Sequence, residues 1–165
     1  MLVTALATAS GDDPVDWVYA KAKGIGVVLA SLRATVEETT FIKHEADRTR
    51  PDGSDNQSMP SSAASSGFGC ATLDNLNLDN IPWLPGMVRI PLQVSNILLA
   101  SGASWARVEA RQHYPSDVFV GAALGHFMTA FTCEAFMGFP ENQRLGFSFA
   151  PSKKGAMLGM SLPWY

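Results

Sequence analysis

The stretch Arg107-Val-Glu-Ala-Arg-Gln-His113-Tyr-Pro-Ser-Asp117 ends one predicted helix, breaks the chain at a proline and begins the longest predicted helix. Pro115 fits the first helical turn, where the N–H that proline lacks would have no partner inside the helix. His113 and Asp117 stand four residues apart across this break, so the carboxylate is expected to accept a hydrogen bond from the imidazole Nδ1. Such an aspartate keeps the proton on Nδ1 and leaves the lone pair of Nε2 directed at a substrate. A helix-capping aspartate beside a surface histidine is the alternative interpretation.

An earlier stretch, Lys43-His-Glu-Ala-Asp-Arg-Thr-Arg50-Pro51, supplies cations that such a histidine would need. Lys43 offers a compact charge, and Arg50 and Arg107 each offer a planar fork suited to pairs of oxygens. Lys43 and Arg50 are seven residues apart, about two helical turns, so they are expected on one helix face. An ordinary solvated helix end is the alternative. A histidine paired with a carboxylate among fixed cations is suited to attack on a phosphate.

Composition limits the remaining possibilities. The chain has 165 residues, enough for one domain with a core. Its net charge of −3 gives no basic field, which argues against a nucleic-acid partner. Cys70 and Cys133 lack metal-ligand spacing and are expected to be buried thiols, with a disulfide as the alternative.

The hydrophobic pattern predicts an all-α fold, a compact bundle of about five or six helices with a small C-terminal β-hairpin. The expected helices cover residues 15–42, 62–71, 86–101, 103–111 and 115–137, and a turn-rich connection covers 75–85. Two roughly alternating segments within 144–162 predict the hairpin. Residues 1–140 are therefore assigned to the helical domain and 141–165 to a tail of the same domain.

The longest apolar run, Val118 to Phe139, is long enough to span a bilayer. It also contains His126, Glu134 and several small residues, which are equally typical of a buried bundle helix. Met1 to Ser10 lacks a basic start and a full apolar core, so no complete signal peptide is visible.

Between the two charged stretches lies a third motif. Taken together, the three resemble the type 2 phosphatidic acid phosphatase and vanadium haloperoxidase superfamily, whose motifs are Lys-x6-Arg-Pro, Pro-Ser-Gly-His and Ser-Arg-x5-His-x3-Asp. Here they are Lys43…Arg50-Pro51, Pro60-Ser61-Ser62-Ala63 and Ala106-Arg107…His113…Asp117. The resemblance covers about Leu32 to Phe127.

The resemblance implies a phosphoric monoester hydrolase with its site between the helices of a bundle. His113 would form a phosphohistidine that water later hydrolyses, and Asp117 would orient it. The residues implied to bind phosphate, through side chains or nearby backbone amides, are Lys43, Arg50, Ser61, Ser62 and Arg107. No metal or other cofactor is implied, although vanadate would mimic phosphate. The implied substrate is a lipid-linked or other small phosphate ester, and the implied location is the periplasm or a membrane.

Three positions depart from the family pattern. Ala63 replaces the histidine that protonates the leaving oxygen, Ser62 replaces a glycine and Ala106 replaces a serine. General-acid catalysis is worth about 10²–10⁴-fold, so the phosphatase is expected to be impaired. A naturally weak enzyme or pseudoenzyme, and a histidine-to-alanine replacement made to trap a ligand, both account for Ala63.

Substitutes for the missing acid are few. His44 adjoins Lys43, but neighbours on a helix point about 100° apart, so it is expected on another face. Glu45 and Asp47 qualify by proximity alone. A non-catalytic phosphate-binding or membrane-associated module is therefore the alternative function. The short chain and Ala63 argue against a third candidate, vanadium-dependent haloperoxidase.

Overall fold

The computed structural model describes residues 13–137 and the backbone of residues 146–152 and 155–161. Within 13–137 it contains four helices, α1 (Pro14–Ala46), α2 (Ser62–Asp79), α3 (Gly86–Glu109) and α4 (Pro115–Met137), and no strand. The predicted all-α class is confirmed for this part of the chain. The predicted count of five or six helices is not reached there.

Local sequence explains where α1 begins and ends. The side chain of Asp13 accepts a hydrogen bond from the N–H of Val15 at 2.8 Å, and Pro14 occupies the first turn. The helix ends at Asp47, which adopts a left-handed conformation with φ of 39°. Arg50 therefore lies in the loop after α1, and the prediction that it shares a helix face with Lys43 is wrong.

Helices α2 and α3 are both longer than predicted. Residues 75–79 continue α2, because Gln93 and Asn96 of α3 donate hydrogen bonds to Asp79 and Asn75 and stabilise its last turn. Helix α3 is a single helix, and the predicted break near residue 102 is wrong. Pro91 lies inside α3 near its start, where one missing hydrogen bond does not stop the helix. The predicted helix 115–137 is confirmed as α4.

Helix α2 is central and packs against α4, α3 and α1. Two glycines of α4 allow the closest approach. A Cβ at Gly121 would lie 2.5 Å from the carbonyl oxygen of Ser61, and one at Gly125 would overlap the carbonyl oxygen of Ser65. This contact fixes the first turn of α2 against the first turns of α4.

Many of the buried side chains are small and polar. The apolar cluster consists of Val27, Val28, Leu73 and Cys133, with Leu32 and Leu76 packed against it. Elsewhere the helices bury hydroxyls and glycines, including Ser31, Thr35, Thr39, Ser65, Ser104, Gly121, Gly125 and Thr129. Large apolar side chains are exposed instead, among them Trp17, Phe41, Met87, Ile90, Leu98, Leu99, Phe119, Phe127 and Phe131.

Beyond the helices, strands β1 (Gly146–Ser152) and β2 (Gly155–Ser161) pair antiparallel, with Gly146 opposite Ser161. The predicted division of the chain near residue 140 lies outside the described residues. Both cysteines are free; Cys133 is buried and Cys70 is half-buried.

Candidate active site

A polar cavity of about 580 Å³ opens where the end of α1, the loop after it, the start of α2 and the end of α3 meet. Six of the predicted site residues line it, namely Lys43, Arg50, Ser62, Ala63, Arg107 and His113. The two remaining ones, Ser61 and Asp117, are fully buried and do not line it. Residues far apart in sequence therefore converge at one cavity.

The three predicted cations are held in different ways. Lys43 donates to the carbonyl oxygen of Gln57 at 2.6 Å, and burial, followed by the nearby charge of Arg50, lowers the pKa of its ammonium. Arg50 donates to Asp55 at 2.7 Å and to the carbonyl oxygen of Gln112 at 3.2 Å. Arg107 is exposed and donates to Oε1 of Gln112 at 2.8 Å. Because both guanidinium groups contact Gln112, they lie on the same side of the cavity.

His113 is buried at the cavity wall with a defined tautomer. Its Nδ1 lies 2.6 Å from the carbonyl oxygen of Ser58. A carbonyl only accepts hydrogen bonds, so Nδ1 carries the proton and Nε2 keeps its lone pair. Burial lowers the pKa of His113 and the charges of Lys43 and Arg50 lower it further, while the hydrogen bond to Ser58 opposes them. The imidazole is therefore neutral near pH 7.

The predicted hydrogen bond between His113 and Asp117 is absent. Nδ1 of His113 lies 3.9 Å from Oδ2 of Asp117, beyond hydrogen-bonding distance. Asp117 instead accepts from Arg48 at 2.6 Å, from the hydroxyl of Ser58, and from the N–H of Tyr114 at 2.9 Å. These donors occupy the carboxylate of Asp117. The carbonyl oxygen of Ser58 accepts the hydrogen bond from Nδ1 that was predicted for Asp117.

The start of α2 carries the motif that includes the alanine. The N–H of Ser61 donates to the carbonyl oxygen of Asp117 at 2.9 Å, and its hydroxyl accepts from the N–H of Ala64 at 3.4 Å. Ser61 is thus a helix cap whose own amide is already occupied, and phosphate binding by the amides near it stays a prediction. Ser62 and Ala63 line the cavity from the first turn, where a helix N-terminus favours an anion.

Several residues near the site were not predicted as part of it. Gln112, Arg48 and Ser58 carried no sequence signal, because each acts through a contact that forms only in the fold. His44 lines the cavity together with Lys43, so the prediction that it points elsewhere is wrong. The cavity is wide enough at the end of α1 for neighbouring side chains to reach it.

Two carboxylates, Asp52 and Asp55, also line the cavity. The pKa of Asp55 is lowered by the N–H of Gln57 and by Arg50. Within the described residues, no group of three or more histidine, cysteine, aspartate or glutamate side chains is placed to hold a metal ion. The cavity thus combines Lys43 and two guanidinium groups with a neutral imidazole. The Nδ1 of this imidazole is bound to Ser58, and its Nε2 is free.

Known proteins match the same region. The family model of the PAP2 superfamily matches residues 24–139, a range that contains every residue lining the cavity. A stretch of 84 residues, 50% of the chain, is 34% identical to the lipid A 1-phosphatase of Porphyromonas gingivalis and covers 17% of that protein. No solved structure matches the chain. Because the family match spans most of the chain and contains the whole cavity, the chain belongs to the PAP2 superfamily.

Proposed function

We propose that the protein is a phosphatase of the PAP2 type that hydrolyses a phosphate ester through a phosphohistidine on His113. The observation that carries the proposal is the neutral, tautomer-fixed imidazole beside Lys43 and Arg50 in a polar cavity. An imidazole without a proton on Nε2 is a nucleophile, and adjacent cations reduce the repulsion that a phosphate dianion would otherwise present to it.

Phosphate binding falls to the groups with free donors at the cavity. The guanidinium group of Arg107 is exposed and donates to the side chain of Gln112, so it can turn towards a ligand. Arg50 is held more firmly by Asp55 and Gln112. Together with Lys43 and the first amides of α2, they supply the fixed donors that must replace the hydration shell of phosphate.

The proposed reaction has two steps. The Nε2 lone pair of His113 attacks phosphorus, the bond from phosphorus to the ester oxygen breaks, and that oxygen leaves with the electron pair. Water then attacks the phosphohistidine, which releases inorganic phosphate and restores the imidazole. Ala63 has no proton to give the leaving oxygen, so the first step is slow unless the leaving group is a weak base.

The proposed substrate is a phosphate ester presented at a membrane. The similar Porphyromonas protein is named as a lipid A phosphatase. Among the described residues, one helix, α4, is long and apolar enough by length and composition to cross a membrane. Exposed aromatic residues on α4 add to this support, with Phe119 73% and Phe131 57% exposed. These observations support a location at a membrane, and the periplasmic side stays a prediction.

The test is turnover of p-nitrophenyl phosphate by the chain as it stands. We expect slow release of p-nitrophenol and its loss in His113→Asn, because an amide nitrogen is no nucleophile. Trapping of a phosphorylated protein that is stable to base and labile to acid would identify phosphohistidine. Binding of inorganic phosphate without turnover, both before and after Ala63→His, would favour the non-catalytic phosphate-binding module. Oxidation of bromide by the vanadate-loaded protein would favour the haloperoxidase.

A further inference from the structure

The carboxylate of Asp117 is the most enclosed charge near the site. Its side chain is 0% exposed, whereas that of Arg48, which donates to it at 2.6 Å, is 35% exposed. A buried carboxylate requires a compensating charge and hydrogen bonds to all its oxygens. The neutral His113 supplies neither, since its Nδ1 is bonded to the carbonyl oxygen of Ser58. Arg48 is therefore the ionic partner of Asp117.

We propose that Arg48 and Ser58 are positioning residues for the nucleophile. Arg48 fixes the carboxylate of Asp117, the carboxylate fixes the hydroxyl of Ser58, and the carbonyl oxygen of Ser58 fixes the Nδ1–H of His113. The inference rests on the proposed function in that His113 is the attacking group. It changes the role of Asp117 from a direct partner of the imidazole to a support for the loop that orients it.

Arg48 is itself held from several sides. Its Nη1 also donates to the hydroxyl of Ser116 at 2.9 Å, and its guanidinium carbon lies 4.2 Å from the centre of the Tyr114 ring. Stacking on an aromatic face and forked hydrogen bonding are properties of arginine that lysine does not share fully. Arg48 does not line the cavity, so this network acts on catalysis through His113 and not through the phosphate.

Ser58 is equally constrained along the backbone. Its N–H donates to the carbonyl oxygen of Arg48 at 2.9 Å, which closes the loop between α1 and α2. The preceding carbonyl, that of Gln57, accepts from Lys43. Ser58 is fully buried, so its carbonyl oxygen has no water to compete with Nδ1 of His113. Ser58→Ala removes the hydroxyl contact with Asp117 and so frees this peptide without touching the imidazole.

Arg48→Gln, Arg48→Lys and Ser58→Ala test the network, and Arg89→Gln is the matched control. Arg89 is also 35% exposed and pairs with an aspartate, Asp79, but lies away from the cavity. The first readout is the ¹⁵N NMR spectrum of His113 in each full-length variant above pH 7. We expect a single tautomer protonated on Nδ1 in the parent and in Arg89→Gln. In Arg48→Gln and Ser58→Ala we expect a mixture of tautomers.

The second readout separates kcat from KM for p-nitrophenyl phosphate. Small misplacements of a reacting group cost about 10²-fold, so kcat should fall by about that factor in Arg48→Gln while KM changes little. Arg48→Lys should recover part of the loss because it restores the charge beside Asp117. Thermal melting identifies any variant that does not fold, and Ser58→Ala, which removes no charge, then carries the test.

An unchanged tautomer with unchanged kcat in Arg48→Gln would overturn the inference. So would a fall in kcat with the tautomer unchanged, because Arg48 would then act by another route. If neither the parent nor Ala63→His shows turnover, the proposed function fails, but the tautomer spectra still decide whether Arg48 and Ser58 orient His113.

Discussion

Ala63 faces the cavity from the first turn of α2, and it is half-buried. The cavity of about 580 Å³ leaves room for a longer side chain there. In the proposed function, position 63 is where the proton donor for the leaving oxygen is missing, and a histidine there would supply one. Restoring it is therefore the direct test of what the alanine removes.

We expect Ala63→His to raise kcat/KM on an alkyl phosphate by about 10²-fold or more, and by less on p-nitrophenyl phosphate. An alkoxide needs a proton as it leaves, whereas p-nitrophenolate is stable without one. Steady-state rates on both esters provide the measurement, with Ala103→His on the exposed side of α3 as the control. An equal gain on both esters would indicate that the histidine orients the substrate and does not donate a proton.

The lowered pKa of His113 gives a second prediction. We expect an NMR titration of its ring C–H, assigned with His113→Asn, to have a midpoint below the ordinary value of 6.5. Between that midpoint and pH 6.5 the unfolded chain binds more protons at His113 than the folded chain does. The contribution of His113 to the free energy of unfolding is therefore fully present above pH 6.5 and is lost as the pH falls through the window. Melting temperature should accordingly rise with pH through that window, more in the parent than in His113→Asn. A midpoint at or above 6.5 would contradict the assignment of a neutral, buried nucleophile.

The sequence predicted which charged residues gather, but not how Asp117 is used. The gathering of Lys43, Arg50, Arg107 and His113 followed from the resemblance of their motifs to those of the family, and all four line the cavity. Whether His113 or Arg48 pairs with Asp117 depends on which donor the fold brings within hydrogen-bonding distance. Spacing along the chain does not give these distances, so the roles of Arg48 and Ser58 became visible only in the fold.

Among the contacts between helices, the one between α2 and α4 leaves the least space for an added side-chain atom. Helix boundaries followed from local signals where a cap or proline was present, as at Asp13 and Pro115. They were missed at the end of α2, where side chains of α3 prolong the helix, and in the middle of α3, where the helix continues through Gly102. The close approach at Gly121 and Gly125 was not predicted either. Two glycines in a helix do not reveal which other helix packs against them.

We expect Gly125→Ala to destabilise the fold by at least about 1–3 kcal/mol, because the new methyl group would overlap the carbonyl oxygen of Ser65. Activity should fall further than stability alone explains, since the start of α2 carries Ser62 and Ala63. Gly102→Ala is the control, because a Cβ there meets nothing within 4 Å and an alanine in a helix interior gains up to about 1 kcal/mol. Chemical denaturation and turnover of p-nitrophenyl phosphate provide the measurements. Equal stability of the two variants would contradict the packing described for α2 and α4.

Over the four helices as a whole, many polar groups face inwards and many large apolar side chains face outwards. On α3, Gln93 and Asn96 bond to α2, while Met87 is 90% and Ile90 60% exposed. An ordinary soluble bundle shows the opposite arrangement. Arg33 and Glu37 of α1 form an exposed ion pair, which is a polar part of the surface.

We expect the protein to float with phospholipid vesicles in a density gradient, and the variant Met87→Gln/Ile90→Gln/Val94→Gln to bind them at least about tenfold more weakly. Its melting temperature should be unchanged, because these side chains are exposed in the fold. Arg33→Gln/Glu37→Gln is the control and should float like the parent. If the triple variant floats equally well, the outer face of α3 does not contact lipid.

The burial of threonine, serine and glycine where soluble bundles bury leucine and phenylalanine also affects how the fold responds to temperature. The heat capacity of unfolding increases with the apolar area that becomes exposed to water, and is about 12–15 cal/mol/K per residue in ordinary globular proteins. Many large apolar side chains of residues 13–137 of this chain are already exposed in the folded state. Its heat-capacity increment is therefore smaller, and its curve of stability against temperature is flatter than that of a soluble bundle of equal length.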